Sequence, residues 1–116
     1  MTAAVQQSQK ELDRLSAIRT IDSEIKAIEE LKHSLDSSSL TQALDFMQNS
    51  KGRIIITGMG KSGHIGKKIA ASLASTGTPS FFVHPAEASH GDLGMITEDD
   101  VVIAISNSGE SRELID

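Results

Sequence analysis

An α/β fold with a parallel sheet, preceded by two helices, is the architecture that this sequence of 116 residues predicts. Residues 1–51 contain neither glycine nor proline, whereas all nine glycines and both prolines lie in residues 52–116. The second half also holds three short runs that are apolar throughout, as strands buried on both faces of a parallel sheet are. A helical segment separates the first two runs, and a polar loop follows each run. This alternation is typical of α/β domains.

The first half predicts two helices. Apolar residues recur there every three or four positions, which predicts one stripe along a first helix: Leu12, Leu15, Ile18, Ile21, Ile25, Ile28, Leu31 and Leu35. Ser39 and Gln42 then fit a capping box that would begin a second helix, which ends before Gly52. A stripe of about six to seven turns needs a partner surface, either its own domain or a second subunit.

The second half predicts strands at residues 53–57, 80–83 and 101–105. Residues 65–75 are expected to form a helix whose inward face is Ile65, Ile69, Ala70, Ala71, Leu73 and Ala74. Residues 84–94 are expected to form a loop, and a further helix to begin at Glu110. Because three strands are fewer than the usual four to six, we expect the chain to be the first part of a longer domain.

The composition narrows the function classes. A net charge of −5 disfavours binding to nucleic acid, and the lack of cysteine excludes disulfides and thiolate metal sites. No apolar run approaches the roughly 20 residues that span a bilayer. The polar N-terminus has no signal-peptide core. We therefore expect a cytoplasmic protein that contacts neither membrane nor nucleic acid and holds no metal.

Three polar loops follow the three predicted strands, where a parallel sheet binds its ligands. The first is Gly58-Met59-Gly60-Lys61-Ser62-Gly63. Its glycines let the backbone approach an anion, and a helix starting near Gly63 would direct its N–H groups at that anion. The loop also fits the dinucleotide pattern G-x-G-x-x-G. His84 stands where that pattern expects an acidic residue, which weakens the dinucleotide alternative, and Ile55 replaces the glycine that a P-loop requires.

The other two loops carry the remaining polar side chains. Residues 84–94 contain two histidines and two carboxylates, which either form a site or only cap and turn the chain. The third loop, Ser106-Asn107-Ser108-Gly109-Glu110-Ser111, surrounds the start of the last helix with hydroxyl groups and backbone N–H groups. Capping by Ser106 or Ser108 would need one serine. Three serines favour a cradle for an anion.

Together these loops resemble those of the sugar isomerase (SIS) domain family. The serine motif is common to the wide SIS class, and the stretch His-Pro-Ala-Glu-Ala-Ser-His-Gly-Asp-Leu-Gly at residues 84–94 narrows the resemblance to D-arabinose 5-phosphate isomerases. The resemblance implies a three-layer α/β/α fold of flavodoxin or Rossmann type, incomplete here. Residues 1–51 would be a helical lead-in with an oligomer contact, and residues 52–116 the first part of the sugar-phosphate-binding domain.

The resemblance also implies an activity: the interconversion of D-ribulose 5-phosphate and D-arabinose 5-phosphate through an enediol, as the first step toward Kdo in lipopolysaccharide and some capsules. Such enzymes act without an organic cofactor, usually as tetramers. Lys61 would stabilise the enediolate, His90 would move the proton that opens the sugar ring, and Glu113 or a later carboxylate would be the base. The substrate-binding positions would be Gly60, Ser62, Ser106, Asn107, Ser108, Glu110 and Ser111.

Other interpretations stay open at this point. The chain could be a non-catalytic sugar-phosphate-binding module or an inactive fragment of the isomerase. A DNA-binding regulator is disfavoured, because residues 1–51 have no glycine turn and a net negative charge. Lys61 could also be a solvated lysine, His90 a histidine bonded to nearby backbone, and Glu113 a carboxylate that favours a helix N-terminus.

Overall fold

The computed structural model describes residues 2–35, 37–110 and 112–115, with the side chains of Asp92, Glu113 and Ile115 left out. The chain divides into two compact units, residues 1–42 and residues 43–116. In chain order, the helices and strands are α1 (Ala3–Ser34), α2 (Ser38–Gln48), β1 (Ile54–Gly58), α3 (Gly60–Ser75), β2 (Ser80–Phe82), α4 (Pro85–Ser89), a 3-10 helix (Asp92–Met95), β3 (Val101–Ile105) and α5 (Arg112–Ile115).

Helix α1 is the predicted first helix. The Thr2 hydroxyl caps its start by accepting a hydrogen bond from the Val5 N–H at 3.3 Å. No described side chain of α1 is buried, and the exposed fractions in its apolar series run from 40% at Ile18 to 65% at Ile28. The expectation of one straight stripe is wrong. Positions 12, 15, 18 and 21 are three residues apart, so each side chain falls about 60° behind the previous one, and the apolar series winds around the helix.

Helix α2 begins at Ser38, so the capping box predicted with Ser39 at the N-cap is displaced. Ser39 lies within the first turn. Met47, near the C-terminal end of α2, packs against the hydrophobic core of the second unit, whereas Phe46 is exposed. The second predicted helix is confirmed, although its boundaries differ by a residue or two.

The predicted parallel sheet is confirmed, with strand order β2-β1-β3. Strand β1 is central, and Ile54 lies opposite both Ser80 of β2 and Val101 of β3. Ile54, Ile55 and Ile56 are at most 1% exposed, because consecutive β-branched residues fill both faces of the strand. Strand β3 differs from the expectation. It lies at the sheet edge, and its burial alternates, with Val102 and Ala104 exposed.

Helix α3 covers one face of the sheet, but not with the expected residues. It begins at Gly60 rather than near Gly63, and its buried residues are Gly63, Gly66 and Ala70. Ile65 is 58% exposed and Ile69 37% exposed, and Ala71 and Ala74 are also exposed, so the predicted inward face is wrong except at Ala70 and the half-buried Leu73. The glycines let the helix axis approach the strands. An added Cβ at Gly66 would lie 3.0 Å from Ile56 Cγ2 and 3.2 Å from the Phe82 ring.

At the amino end of the sheet, Asp100 links the starts of β1 and β3. Its carboxylate, 1% exposed, accepts hydrogen bonds from the backbone N–H of Arg53 at 2.7 Å and of Thr97 at 2.8 Å. The Arg53 guanidinium lies 3.6 Å away. These two hydrogen bonds lower the pKa of Asp100 to about 2. An ionised Asp100 therefore stabilises this edge of the fold.

Candidate functional site

The carboxyl ends of the strands bring the three polar loops side by side. Ile56 of β1 lies opposite Phe82 of β2, and Gly58 lies opposite Ile105 of β3. Because neighbouring strands lie about 4.8 Å apart, the loops begin one strand spacing from one another. The convergence that the sequence predicts is present.

The first loop is shorter than its sequence pattern suggests. Gly58 ends β1, Met59 is the N-cap of α3, and Gly60 (φ +54°) begins the helix. Two of its glycines have a packing role. An added Cβ at Gly63 would lie 2.5 Å from the Gly58 carbonyl oxygen, and one at Gly58 would lie 3.1 Å from the Ile105 carbonyl oxygen. Glycine at these positions brings α3 onto the end of β1, whatever ligand the loop binds.

The predicted residues Lys61 and Ser62 lie in the first turn of α3. Lys61 is exposed and Ser62 is half-buried. The backbone N–H groups of a first helical turn have no partner within the helix and favour an anionic ligand. The helix therefore presents one cation, one hydroxyl and its own amide groups at the loop that precedes it.

The second loop contains a helix that the sequence analysis did not predict. His84 Nδ1 accepts a hydrogen bond from the Ala86 N–H at 3.1 Å, and Pro85 occupies the first turn of α4, where proline is favoured. His90 follows α4 directly, is exposed, and donates its backbone N–H to the Glu87 carbonyl at 3.0 Å. His84 thus has the capping role that one interpretation gave this loop, while His90 presents its ring to solvent.

In the third loop two serines stabilise local turns. Ser106 Oγ accepts a hydrogen bond from the Gly109 N–H at 3.0 Å, and Ser108 Oγ accepts one from the Glu110 N–H at 3.1 Å. Asn107 and Glu110 are exposed beside them. Ser111 and the Glu113 side chain lie outside the described part of the structure.

A small cleft lies beside the first loop, on its β2 side. We call it the cationic cleft. Its volume is about 120 Å³, and it is lined by Gly58, Gly60, Gly63, His64, Lys67, Phe82 and His84. His64 and Lys67 were not among the residues predicted for a site. The signal was the spacing of residues 60, 63, 64 and 67, which lie on one side of a helix.

A larger cavity of about 400 Å³ lies on the sheet face opposite α3. Its walls are mainly apolar and include Ile55, Val83, Val102 and Leu114. Thr57 also lines it, and the buried Thr57 Oγ1 has no hydrogen-bond partner among the described residues. An apolar cavity does not suit a sugar phosphate, so we place the candidate site at the loops and not here.

Comparison with known protein families identifies the class of protein to which this chain belongs. A sequence model of the SIS domain family matches residues 46–116, which is more than half of the chain, and the chain belongs to this family. The fold agrees with that assignment. An Escherichia coli CFT073 protein solved in complex with a sugar phosphate superposes with a TM-score of 0.75 at 44% identity, over 99% of this chain and 57% of that one.

The similarity extends to particular isomerases. The chain is 59% identical over 100 residues to arabinose 5-phosphate isomerase KdsD of Pseudomonas aeruginosa and 54% identical over 100 residues to the isomerase KpsF of E. coli O6:H1. Each alignment covers 86% of this chain but only 30% and 31% of those proteins. The chain thus spans less than a third of the length of these curated relatives. No helix in the described part of the chain is long and apolar enough to cross a membrane.

Proposed function

We propose that this chain is part of an aldose–ketose isomerase that interconverts D-ribulose 5-phosphate and D-arabinose 5-phosphate. The observation that carries the proposal is the convergence of the three loops at the carboxyl edge of the sheet, in a chain that is 59% identical to one such isomerase over the aligned residues. In this proposal residues 52–116 are the first part of the sugar-phosphate-binding domain, and residues 1–51 are its helical lead-in. The enzyme would act in the cytoplasm, ahead of Kdo formation.

The reaction transfers one proton between neighbouring carbons and needs no external oxidant. A base removes a proton from C1 of the ketose, the electron pair forms the C1–C2 double bond, and the carbonyl oxygen on C2 becomes an enediolate oxygen. The proton of the C1 hydroxyl passes to the C2 oxygen, and a proton returns to C2, which leaves the aldehyde at C1 and a hydroxyl group at C2. The site must therefore hold the phosphate, stabilise the enediolate charge and supply one base.

The chain offers a residue for each of these tasks. Lys61 would stabilise the enediolate, and His90 would move the proton that opens the ring of the aldose. The phosphate would lie against Gly60, Ser62 and the third loop, with its residues Ser106, Asn107, Ser108, Glu110 and Ser111. The base would be Glu113 or a carboxylate farther along a longer chain. The placement of Lys61 and Ser62 in the first turn of α3, beside the start of the third loop, supports this arrangement.

The proposal is tested by turnover. D-Ribulose 5-phosphate is added to the purified protein, and D-arabinose 5-phosphate is measured. In a protein with turnover, Lys61→Ala is expected to lower kcat by about 100-fold to 1,000-fold, the usual cost of removing one group that stabilises an oxyanion. Lys68→Ala is the matched control, because Lys68 is also exposed on α3 and lies about two turns beyond its start.

The outcomes separate the candidate functions. Unchanged kcat in Lys61→Ala would remove Lys61 from the mechanism. Binding of the sugar phosphate without turnover, in this chain and in any longer chain that contains it, would replace the isomerase with a sugar-phosphate-binding module.

We also propose that the protein is a homo-oligomer, of four subunits as the family resemblance implies, with α1 in the subunit contact. The support is the exposure of every described apolar side chain on α1. Water would otherwise surround seven leucine and isoleucine side chains on one helix, at a cost that their burial against another subunit would remove.

A further inference from the structure

The charges of this chain are strongly segregated. Residues 46–86 contain no aspartate and no glutamate, although the whole chain carries 16 of them. The same segment holds five of the 11 lysines and arginines and two of the four histidines. A chain with a net charge of −5 therefore has one cationic segment, and that segment includes β1, α3 and β2.

Three of the nitrogen-bearing side chains of this segment line the cationic cleft: His64, Lys67 and His84. The remaining walls are three glycines and the ring of Phe82. None of these residues is acidic, so an anion in the cleft would meet no carboxylate on its walls. Glycine walls also leave room for an anion to approach the backbone.

Two of the three side chains are held in place by interactions that leave their donors available. The Lys67 ammonium lies 5.4 Å from the centroid of the Phe82 ring, a cation–π contact that uses the ring face and no acceptor atom. His84 Nδ1 accepts the Ala86 N–H, so the proton of the neutral ring is on Nε2. The contact with Phe82 and the cap of α4 thus orient an ammonium group and an imidazole N–H independently of each other.

We propose that the cationic cleft is an anion-binding site for a phosphate dianion, either inorganic phosphate or the phosphoryl group of a phosphate ester. Its volume of about 120 Å³ is that of about four water molecules at ~30 Å³ each, which is enough for a phosphoryl group. Lys67 and His84 donate to its oxygens, and His64 lines the same cleft. None of these three residues belongs to the proposed catalytic set. Gly60 belongs both to the cleft and to the proposed substrate-binding set, but binding of phosphate by the three nitrogen-bearing side chains does not depend on isomerase activity.

The test is a titration of the purified protein with inorganic phosphate at constant ionic strength, followed by the histidine ring signals in NMR spectra. We expect the signals of His64 and His84 to move together and to saturate. Lys67→Gln removes one charge-assisted hydrogen bond and is expected to raise the Kd for phosphate about tenfold. Lys68→Gln removes the same charge one residue away, outside the cleft, and is expected to leave the Kd within about twofold. Circular dichroism confirms that both variants remain folded.

Equal weakening in Lys67→Gln and Lys68→Gln would overturn the proposal, because a general attraction to a cationic surface would then account for the binding. Chloride that moves the same signals as phosphate at equal ionic strength would overturn it too. A second titration with D-arabinose 5-phosphate distinguishes the two sources of the anion. If D-arabinose 5-phosphate itself moves the His64 and His84 signals and competes there with inorganic phosphate, the cleft binds the phosphoryl group of the ester. If the shifts caused by inorganic phosphate persist at saturating D-arabinose 5-phosphate, the cleft binds free phosphate.

Discussion

Among the described glycines of α3, Gly63 lies closest to β1. An added Cβ there would lie 2.5 Å from a backbone oxygen, that of Gly58, and a backbone oxygen cannot rotate away as a side chain can. The glycine pattern from which a ligand loop was predicted is thus also a packing requirement at this position.

Replacing Gly63 with alanine is therefore expected to lower the free energy of unfolding by about 1–3 kcal/mol, the usual cost of forcing an extra methyl group into a packed contact. Gly94→Ala is the control, because nothing lies within 4 Å of the Cβ it would add. Chemical denaturation of the two variants measures the difference. Equal stability would show that the sheet shifts to accommodate a methyl group at residue 63.

The low pKa of Asp100 predicts that the stability of the fold depends on pH. Its pKa is about 2 in the folded chain and about 3.9 when unfolded, so the unfolded chain binds more protons between these values. The stabilisation by Asp100 is complete above about pH 4 and is lost as the pH falls toward 2.

Thermal melts between pH 2 and pH 6 are expected to show a smaller acid-induced decrease in Tm for Asp100→Asn than for the original chain. Asp99→Asn is the control, since Asp99 contacts Gly52 and Ser50 through its carbonyl oxygen and keeps it in the variant. If Asp100→Asn had the same pH profile as the original chain, other groups would cause the acid sensitivity.

At the scale of elements, α3 shows how glycine changes the face that a helix buries. Its large residues Ile65 and Ile69 suggested an inward face, but the helix buries Gly63, Gly66 and Ala70. Small residues permit a short distance between helix and strand, so the core is filled from the sheet side by the large side chains of β1.

Truncating one isoleucine of β1 and one of α3 tests which of these side chains the core buries. Ile56→Ala is expected to destabilise the chain by about 2–5 kcal/mol, because the side chain is completely buried and leaves a cavity. Ile65→Ala is expected to change stability by about 0.5 kcal/mol or less, as is usual at exposed positions. Comparable losses in the two variants would show that Ile65 is buried in solution.

At the scale of the whole molecule, the two compact units differ in what they bury. Residues 43–116 have a core of isoleucines around β1, whereas α1 in the first unit exposes its apolar series. Because that series winds around the helix, one straight neighbouring helix would cover only part of it. A contact with several helices from other subunits suits such a surface better.

Ile25→Lys is accordingly expected to shift the protein toward monomers in sedimentation velocity, because it places a charge in the middle of the apolar series. Lys26→Gln alters a charge at the adjacent position and is expected to leave the distribution unchanged. A monomer in the original chain at every concentration would contradict the proposed contact.

The sequence was sufficient for the central strand and for the parallel sheet. Runs such as Ile54-Ile55-Ile56 determine a strand buried on both faces, and the order of strands, loops and helices determines a parallel sheet with polar loops at one edge. The match to the SIS family rests on the same residues. Helix boundaries were less certain, because Gly60 begins α3 with a conformation that its sequence does not specify.

Distances between segments were decided only by the tertiary structure. The cleft contains His64, Lys67 and His84 because α3 lies close against β1 and β2. Ile65 is exposed because it lies on the side of α3 away from the sheet, and β3 is partly exposed because it lies at the sheet edge. The periodicity of apolar residues indicates which residues share a face of one helix or strand. Which of these faces is covered depends on contacts between segments distant in sequence, and only packing of the whole unit determines them.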